Sequence, residues 1–182
     1  MPNTLAQIFS KIPFAAIAPA EIPHLPITGI ALDSRQVKPG NLFVALTGGS
    51  TDGHSYIPSA VQQGAVGIIG THPAEDFSLE VPYLQVKDAR EALAWISAAY
   101  YDFPARSLTV IGVTGTDGKT TTSNLLYQIL KHAGIRVGMV STVNAVIGDQ
   151  EIDTGFHVTT PEAPDVQHYL AQMVAAGLTH VV

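Results

Sequence analysis

The 182 residues include no cysteine, which removes disulfides, thiol nucleophiles and thiolate metal sites at once. Basic residues are also scarce. Nine Lys and Arg stand against fifteen Asp and Glu, a formal net charge of -6 at pH 7. Generalised nucleic-acid binding draws on a basic face and is not expected here, although a local pocket of amides and one cation can still hold phosphates. No apolar run is long enough to cross a bilayer. The opening segment, residues 1–26, lacks a charged start followed by an unbroken apolar stretch, and its prolines would break one. A cytoplasmic protein is expected, with neither membrane nor nucleic acid as partner. What remains is core material. Hydrophobic residues make up 46% of the chain and charged ones 13%, which excludes disorder as the main state. The length allows one ordinary domain or two small ones.

Periodicity predicts alternating helices and strands. Residues 4–12 have helical spacing, with Leu5, Ile8 and Phe9 on one side. Residues 29–37 read as a strand running into a turn at Pro39-Gly40, and 42–46 as the next strand. A helix over 55–63 ends at Gly64, and short apolar strands follow at 66–69 and 82–86. Asp88 and Glu91 have capping-box spacing, ahead of a stripe of Ala89, Ala92, Leu93, Ile96 and Tyr100. The pattern breaks at residues 101–106, so the border falls between a domain over 1–103 and a second over 104–182. There a strand at 108–113 precedes a helix at 119–133 with Leu125, Leu126, Ile129, Leu130 and Ala133 inward. A strand at 136–140 completes a βαβ unit. A hairpin about Gly148-Asp149 follows. Thr160 caps a last helix, with Pro161 at its first position. Residues 179–182 begin another buried strand, inside which the chain stops, as expected of a fragment. The fold class is therefore α/β: a small N-terminal α/β domain, then the first part of a phosphate-loop domain with a mainly parallel sheet.

The chemistry concentrates between the strand at 108–113 and the helix at 119–133. Thr114-Gly115-Thr116-Asp117-Gly118-Lys119-Thr120-Thr121 has the makings of an anion cradle: successive backbone N–H groups can converge on one point, aided by the positive end of the helix. Gly115 and Gly118 permit the backbone conformations and close approach that a side chain would block. Lys119 can reach the outer phosphates of a nucleoside triphosphate, and the Thr120 hydroxyl can ligate the accompanying magnesium ion. The general G-x-x-x-x-G-K-[ST] pattern wants glycine where Val113 stands. Gly112, Gly115 and Gly118 do not satisfy G-x-G-x-x-G either, which disfavours a dinucleotide fold.

This loop closely resembles the T-G-T-N-G-K-T-T loop of the Mur ligases, with Asp117 in place of the commoner asparagine, and that family also lacks the first glycine. Two further stretches resemble it. Residues 32–45, Leu-Asp-Ser-Arg-Gln-Val-Lys-Pro-Gly-Asn-Leu-Phe-Val-Ala, with Asp52-Gly53-His54, look like its uridine-nucleotide-binding domain. Thr159-Thr160-Pro161-Glu162 looks like a segment of the members that add the third residue of the wall peptide. The loop alone would specify only the wider family, which includes folylpolyglutamate synthetase.

The resemblance implies an ATP- and Mg2+-dependent ligase of peptidoglycan precursor synthesis. In it, ATP converts the free carboxylate of UDP-N-acetylmuramoyl-L-alanyl-D-glutamate to an acyl phosphate, which the amine of a diamino acid attacks. By position Gly115, Thr116, Asp117, Gly118, Lys119, Thr120 and Thr121 would hold ATP, with Lys119 the catalytic cation and Thr120 the metal ligand. Leu32, Ser34, Gly49, Ser50 and Thr51 would contact the uridine nucleotide, and Val158, Thr159 and Thr160 the muramoyl peptide. Arg35 reads equally well as a surface arginine at a strand end. The family's magnesium-binding glutamate, carbamylated lysine and amino-acid-selecting domain have no counterpart in these residues. The chain alone is therefore expected not to ligate, and self-association of a half-sheet is conceivable.

Other signals are weaker. Seven histidines include no H-E-x-x-H or comparable pair and read as surface or capping residues. Trp95, Met139 and Met173 read as core, and Glu75 and Asp76 as solvated loop charges. Two rival functions remain: a nucleotide-binding or regulatory module that uses the same loop without ligation, and another ligase of the family, of folylpolyglutamate type or the next step of wall assembly.

Overall fold

A computed structural model describes residues 3–13, 21–48, 51–153 and 161–182. It separates into two compact units, Met1–Tyr100 and Tyr101–Val182.

In the first unit, helix α1 (Leu5–Ser10) starts at a reciprocal cap: Thr4 Oγ1 accepts the Gln7 amide at 3.3 Å and Gln7 Oε1 accepts the Thr4 amide at 3.0 Å. Strands β1 (Gly29–Ala31), β2 (Asn41–Val44), β3 (Gly67–Gly70) and β4 (Tyr83–Gln85) form a wholly parallel sheet in the order β1-β2-β3-β4. All four residues of β2 and of β3 are buried, as expected of parallel strands covered on both faces. Helices α2 (Ile57–Gln62) and α3 (Ala89–Tyr100) complete the unit. Phe43, Ile57, Ala60, Ile68 and Tyr83 pack together in its core, and α3 turns Ala92, Leu93, Ile96 and Ala99 inward. The strand expected over 29–37 is shorter. Beyond Ala31, Asp33 Oδ1 accepts the amide of Arg35 at 2.9 Å and caps a 3-10 turn over Ser34–Gln36, a local bond that competes with the ladder.

The second unit carries β5 (Thr109–Val110), α4 (Lys119–His132), β6 (Val137–Val140), β7 (Asn144–Ile147), β8 (Gln150–Asp153), α5 (Ala163–Ala175) and β9 (His180–Val181). The sheet order is β5-β9-β6-β7-β8. β9 runs parallel to both β5 and β6, while β6, β7 and β8 form an antiparallel meander. The strand expected over 108–113 pairs only at Thr109–Val110, and both residues are exposed. β5 lies at the sheet edge, so it is not the buried strand its composition suggests. Helix α4 also faces differently from expectation. Leu125 and Ile129 are 58% and 60% exposed, whereas Ser123 and Tyr127 are buried and Leu126 and Leu130 half-buried. Helix α5 begins later than expected: Glu162, with extended backbone, is the cap and Pro164 falls in the first turn, leaving Pro161 outside. No helix among the described residues is long and apolar enough to cross a membrane.

Candidate functional site

In the first unit, the segments after β1 and β2 enclose a cavity of about 560 Å³ lined by Leu32, Asp33, Ser34, Arg35, Leu46, Gly48, Thr51, Gly53, Tyr56 and Ser59. Three of the residues assigned to nucleotide contact, Leu32, Ser34 and Thr51, lie on this wall. Gly49 and Ser50 fall outside the described residues. Ser34 is buried at the start of the 3-10 turn that Asp33 caps. The Arg35 guanidinium meets the Asp33 carboxylate at 2.7 Å while remaining 85% exposed. The side-chain and backbone bonds from Arg35 hold Asp33 below the usual carboxylate range. Arg35 therefore stands at the rim with its fork partly engaged, free to turn toward an anion. Sequence reasoning missed Tyr56, an aromatic side chain 47% exposed on the cavity wall and able to lie against a flat base. The periodic signal there came from Ile57 and Ala60, which turn inward, and it said nothing of the outward Tyr56.

Behind this wall lies a cluster that spacing did not reveal. His54 is buried, 4% exposed. Its Nδ1 lies 2.6 Å from Asp52 Oδ1, and its Nε2 accepts the amide of Thr71 at 3.0 Å. The His72 ring stacks on it at 3.8 Å with planes 5° apart, and His72 Nε2 is 3.4 Å from Asp52 Oδ2. The three side chains are close enough to suggest a metal site, but two stacked imidazoles direct their lone pairs along parallel planes and cannot converge on one ion. His54, moreover, already uses both ring nitrogens. The bonds from the His54 amide and ring hold Asp52 low in pKa.

In the second unit, Thr116, Asp117, Gly118, Lys119, Thr120, Thr121 and Thr142 line a cavity of about 280 Å³. Gly118, at φ +75°, is the cap of α4. A Cβ there would meet nothing within 4 Å, so glycine is required by the backbone conformation and not by neighbours. Among the described residues, the backbone amides of Thr116 to Thr121 donate to no acceptor. Those of Lys119 to Thr121 open α4, where no intrahelical acceptor exists. Lys119 Nζ turns back onto the loop and donates to Gly115 O at 2.6 Å and Thr116 O at 3.2 Å. A row of free amides, a helix start and a lysine held a few ångströms away suit a polyphosphate. For a magnesium ion, which keeps most of its water and takes few protein oxygens, Thr120 and Thr142 offer hydroxyls and Asp117 a carboxylate on the same wall.

Lys119, Thr120 and Thr142 also line a second cavity of about 300 Å³, walled by Ile111, Val113, Val140, Val166, Leu170 and Val182 among others. Thr142 was not singled out from sequence. It follows β6 in a tight turn where Ser141 Oγ donates to Asn144 Oδ1 at 2.8 Å and accepts the Asn144 amide at 3.2 Å. Val158, Thr159 and Thr160, assigned to the muramoyl peptide, fall outside the described residues.

The chain thus combines two α/β units, one with a cavity beyond its parallel strands and one with a glycine-containing strand-to-helix loop. Residues 26–101 match the model of the Mur ligase family catalytic domain and residues 113–182 that of the Mur ligase middle domain. The chain belongs to the Mur ligase family. It is 45% identical, over 90% of its own length and 33% of the relative's, to UDP-N-acetylmuramyl-tripeptide synthetase of Roseiflexus sp. (strain RS-1). It is 41% identical, over 85% and 32%, to UDP-N-acetylmuramoyl-L-alanyl-D-glutamate--2,6-diaminopimelate ligase of Cytophaga hutchinsonii. A solved structure of a ligase of the latter name superposes with a TM-score of 0.76 at 25% identity, covering 100% of this chain and 35% of that one. The MurF ligase of Thermotoga maritima, solved with ADP, gives 0.53 at 28% identity over 78% and 28%. The chain thus spans about a third of the length of these relatives.

Proposed function

We propose that this chain supplies the uridine-nucleotide-binding and ATP-binding parts of a ligase that adds a diamino acid to UDP-N-acetylmuramoyl-L-alanyl-D-glutamate. The observation that carries this reading is the loop before α4, where six successive amides lack partners among the described residues beside Lys119. ATP brings the phosphoryl group that activates the substrate carboxylate. The chain's own task is to neutralise crowded negative charge. The amides of residues 116–121 would hold the phosphates, with Thr120 as the protein ligand to magnesium and Asp117 on the same wall. Lys119 would exchange two neutral carbonyls for charged phosphate oxygens, an exchange that favours the phosphates because charge-assisted bonds are the stronger kind. The apolar cavity that shares Lys119, Thr120 and Thr142 would then receive the substrate's carboxylate end. Leu32, Ser34, Gly49, Ser50 and Thr51 would hold the uridine nucleotide, and Tyr56, on the cavity wall with Leu32, Ser34 and Thr51, would lie against its base. The cavity of about 560 Å³ is within the range of small-molecule sites.

Isothermal titration of the chain with Mg-ATP and, separately, with UDP tests both halves. Saturable binding of each is expected. A chain that binds ATP but no uridine nucleotide would favour a folate-type ligase, and one that binds neither would remove the reading.

A further inference from the structure

We propose that His54 is a positioning residue that sets the shape of the nucleotide cavity by clamping the paired residues 46–48 and 51–53 to the end of β3. This rests on the reading that the cavity takes a uridine nucleotide, and it assigns a residue that does not itself line the cavity.

The ring's chemistry is fixed by its neighbours. The Thr71 amide donates to Nε2 at 3.0 Å and the His72 amide also points there, at 3.4 Å. An N–H cannot accept, so Nε2 carries no proton. The proton therefore sits on Nδ1 and is donated to Asp52 Oδ1 at 2.6 Å, a charge-assisted bond. Asp52 uses the same oxygen to accept the His54 amide at 3.0 Å. Three segments are thereby tied in series: the residues after β3, the imidazole, and Asp52.

Asp52 in turn governs the loop. It bridges Thr47 in antiparallel fashion, the Gly48 amide donates to Thr51 O, and the Gly53 amide donates to Leu46 O, both at 2.9 Å. Leu46, Gly48, Thr51 and Gly53 all face the cavity. Thr47, Gly48 and Thr51 are exposed, and exposed segments of this kind open locally at low cost unless hydrogen bonds hold them. With the bonds intact these paired residues are preorganised, and a ligand need not supply the free energy of ordering them.

The test uses the whole chain and the variant His54→Phe, which keeps a flat ring to stack on His72 but loses both ring hydrogen bonds. Amide exchange at Gly48 and Gly53 is expected to accelerate about tenfold. Exchange at Ile68 and Leu84 in the sheet should stay put. The UDP dissociation constant is expected to rise about tenfold, with Mg-ATP affinity unchanged. In the unaltered chain, nitrogen NMR is expected to show His54 as the Nδ1–H tautomer. The Nε2–H tautomer, unchanged exchange at Gly48 and Gly53, or a loosened loop with unchanged UDP affinity would each overturn the proposal. Should His54→Phe not fold, Asp52→Asn keeps the backbone cap and weakens the ring bond, and a rise of about threefold is expected on the same readouts; no change would again overturn it. If the unaltered chain does not bind UDP, the nucleotide reading fails, while the exchange and tautomer measurements still decide the clamp.

Discussion

The imidazole of His54 lies so close to Gly70 that a Cβ on that glycine would sit 2.5 Å from Nε2. The Tyr83 hydroxyl crowds the same point from the other side. Either group is the far end of a side chain and could in principle move aside. Neither is free to do so: His54 is held through both ring nitrogens, and Tyr83 Oη donates to His72 O at 2.9 Å. Gly70→Ala should therefore cost about 1–3 kcal/mol, the usual range for an overpacked core. Urea unfolding with an unchanged slope would measure it. A cost below about 0.5 kcal/mol would mean that the ring shifts freely.

Lys119 makes bonds that a nucleotide would replace. Among the described residues its ammonium hydrogen-bonds to Gly115 O and Thr116 O alone, on an exposed loop. Removing it with Lys119→Ala should leave the unfolding free energy within about 0.5 kcal/mol, as is usual for surface changes. Mg-ATP affinity should fall roughly ten- to a hundredfold, the worth of a hydrogen bond to a charged group. Parallel chemical denaturation and calorimetry would separate the two. Unaltered ATP affinity would take Lys119 out of the site.

Gly118 offers a cleaner probe of loop shape, since its φ of +75° is demanding but nothing lies within 4 Å of where a methyl group would stand. Gly118→Ala should cost about 1 kcal/mol from conformation alone, and ATP affinity should drop with it. Asparagine visits the left-handed region more readily than alanine, so Gly118→Asn is expected to recover part of both losses. Equal behaviour of the two variants would point to some cause other than backbone conformation.

Burial pushes the Tyr83 phenol up to about 12, from an ordinary value of 10.0. In the unfolded chain the phenol ionises at the lower value. Stability linked to this group is therefore whole below about pH 10 and erodes as pH rises toward 12, because the unfolded state loses its proton first. Burial raises Tyr100 and Tyr169 as well, which adds to the alkaline decline. Thermal melts across that window should show a shallower fall for Tyr83→Phe than for the unaltered chain. Parallel declines would place the effect elsewhere.

Legibility in the sequence followed the range of the interactions involved. The α/β class and the element order could be read because β2, β3 and α3 carry continuous or periodic apolar residues and need no distant information. The position of the loop at residues 115–121 was legible because an apolar run precedes it and Gly118 caps the helix that Lys119 opens. The His54 cluster was not, since it joins residues 52, 54, 71 and 72 through a fold that brings β3 beside β2. Thr142 was missed for the same reason: it shares a cavity wall with Lys119 only because the start of α4 and the end of β6 border one space. The early strand over 29–37 was overdrawn because the Asp33 side chain supplies a hydrogen bond that hydropathy does not register.

Helix α4 is where apolar periodicity misled most, and it yields the sharpest contrast between neighbouring residues. Leu125, Leu126, Ile129 and Leu130 can be drawn as one stripe, yet Leu125 and Ile129 are more than half exposed. Tyr127 instead is 4% exposed, packed with Val137, Met139 and Val182. The buried face runs Ser123, Leu126, Tyr127, Leu130, which keeps helical spacing but is rotated from the expected one. An aromatic ring buries more area than a leucine, and its hydroxyl keeps a partner: Lys131 Nζ donates to Tyr127 Oη at 3.2 Å. Tyr127→Ala should thus cost about 3–5 kcal/mol, as large aromatic truncations do, while Leu125→Ala and Ile129→Ala should each change stability by about 0.5 kcal/mol or less. Denaturant unfolding of the three variants decides it. A leucine or isoleucine cost approaching that of Tyr127 would mean that the outer face of α4 is covered in solution.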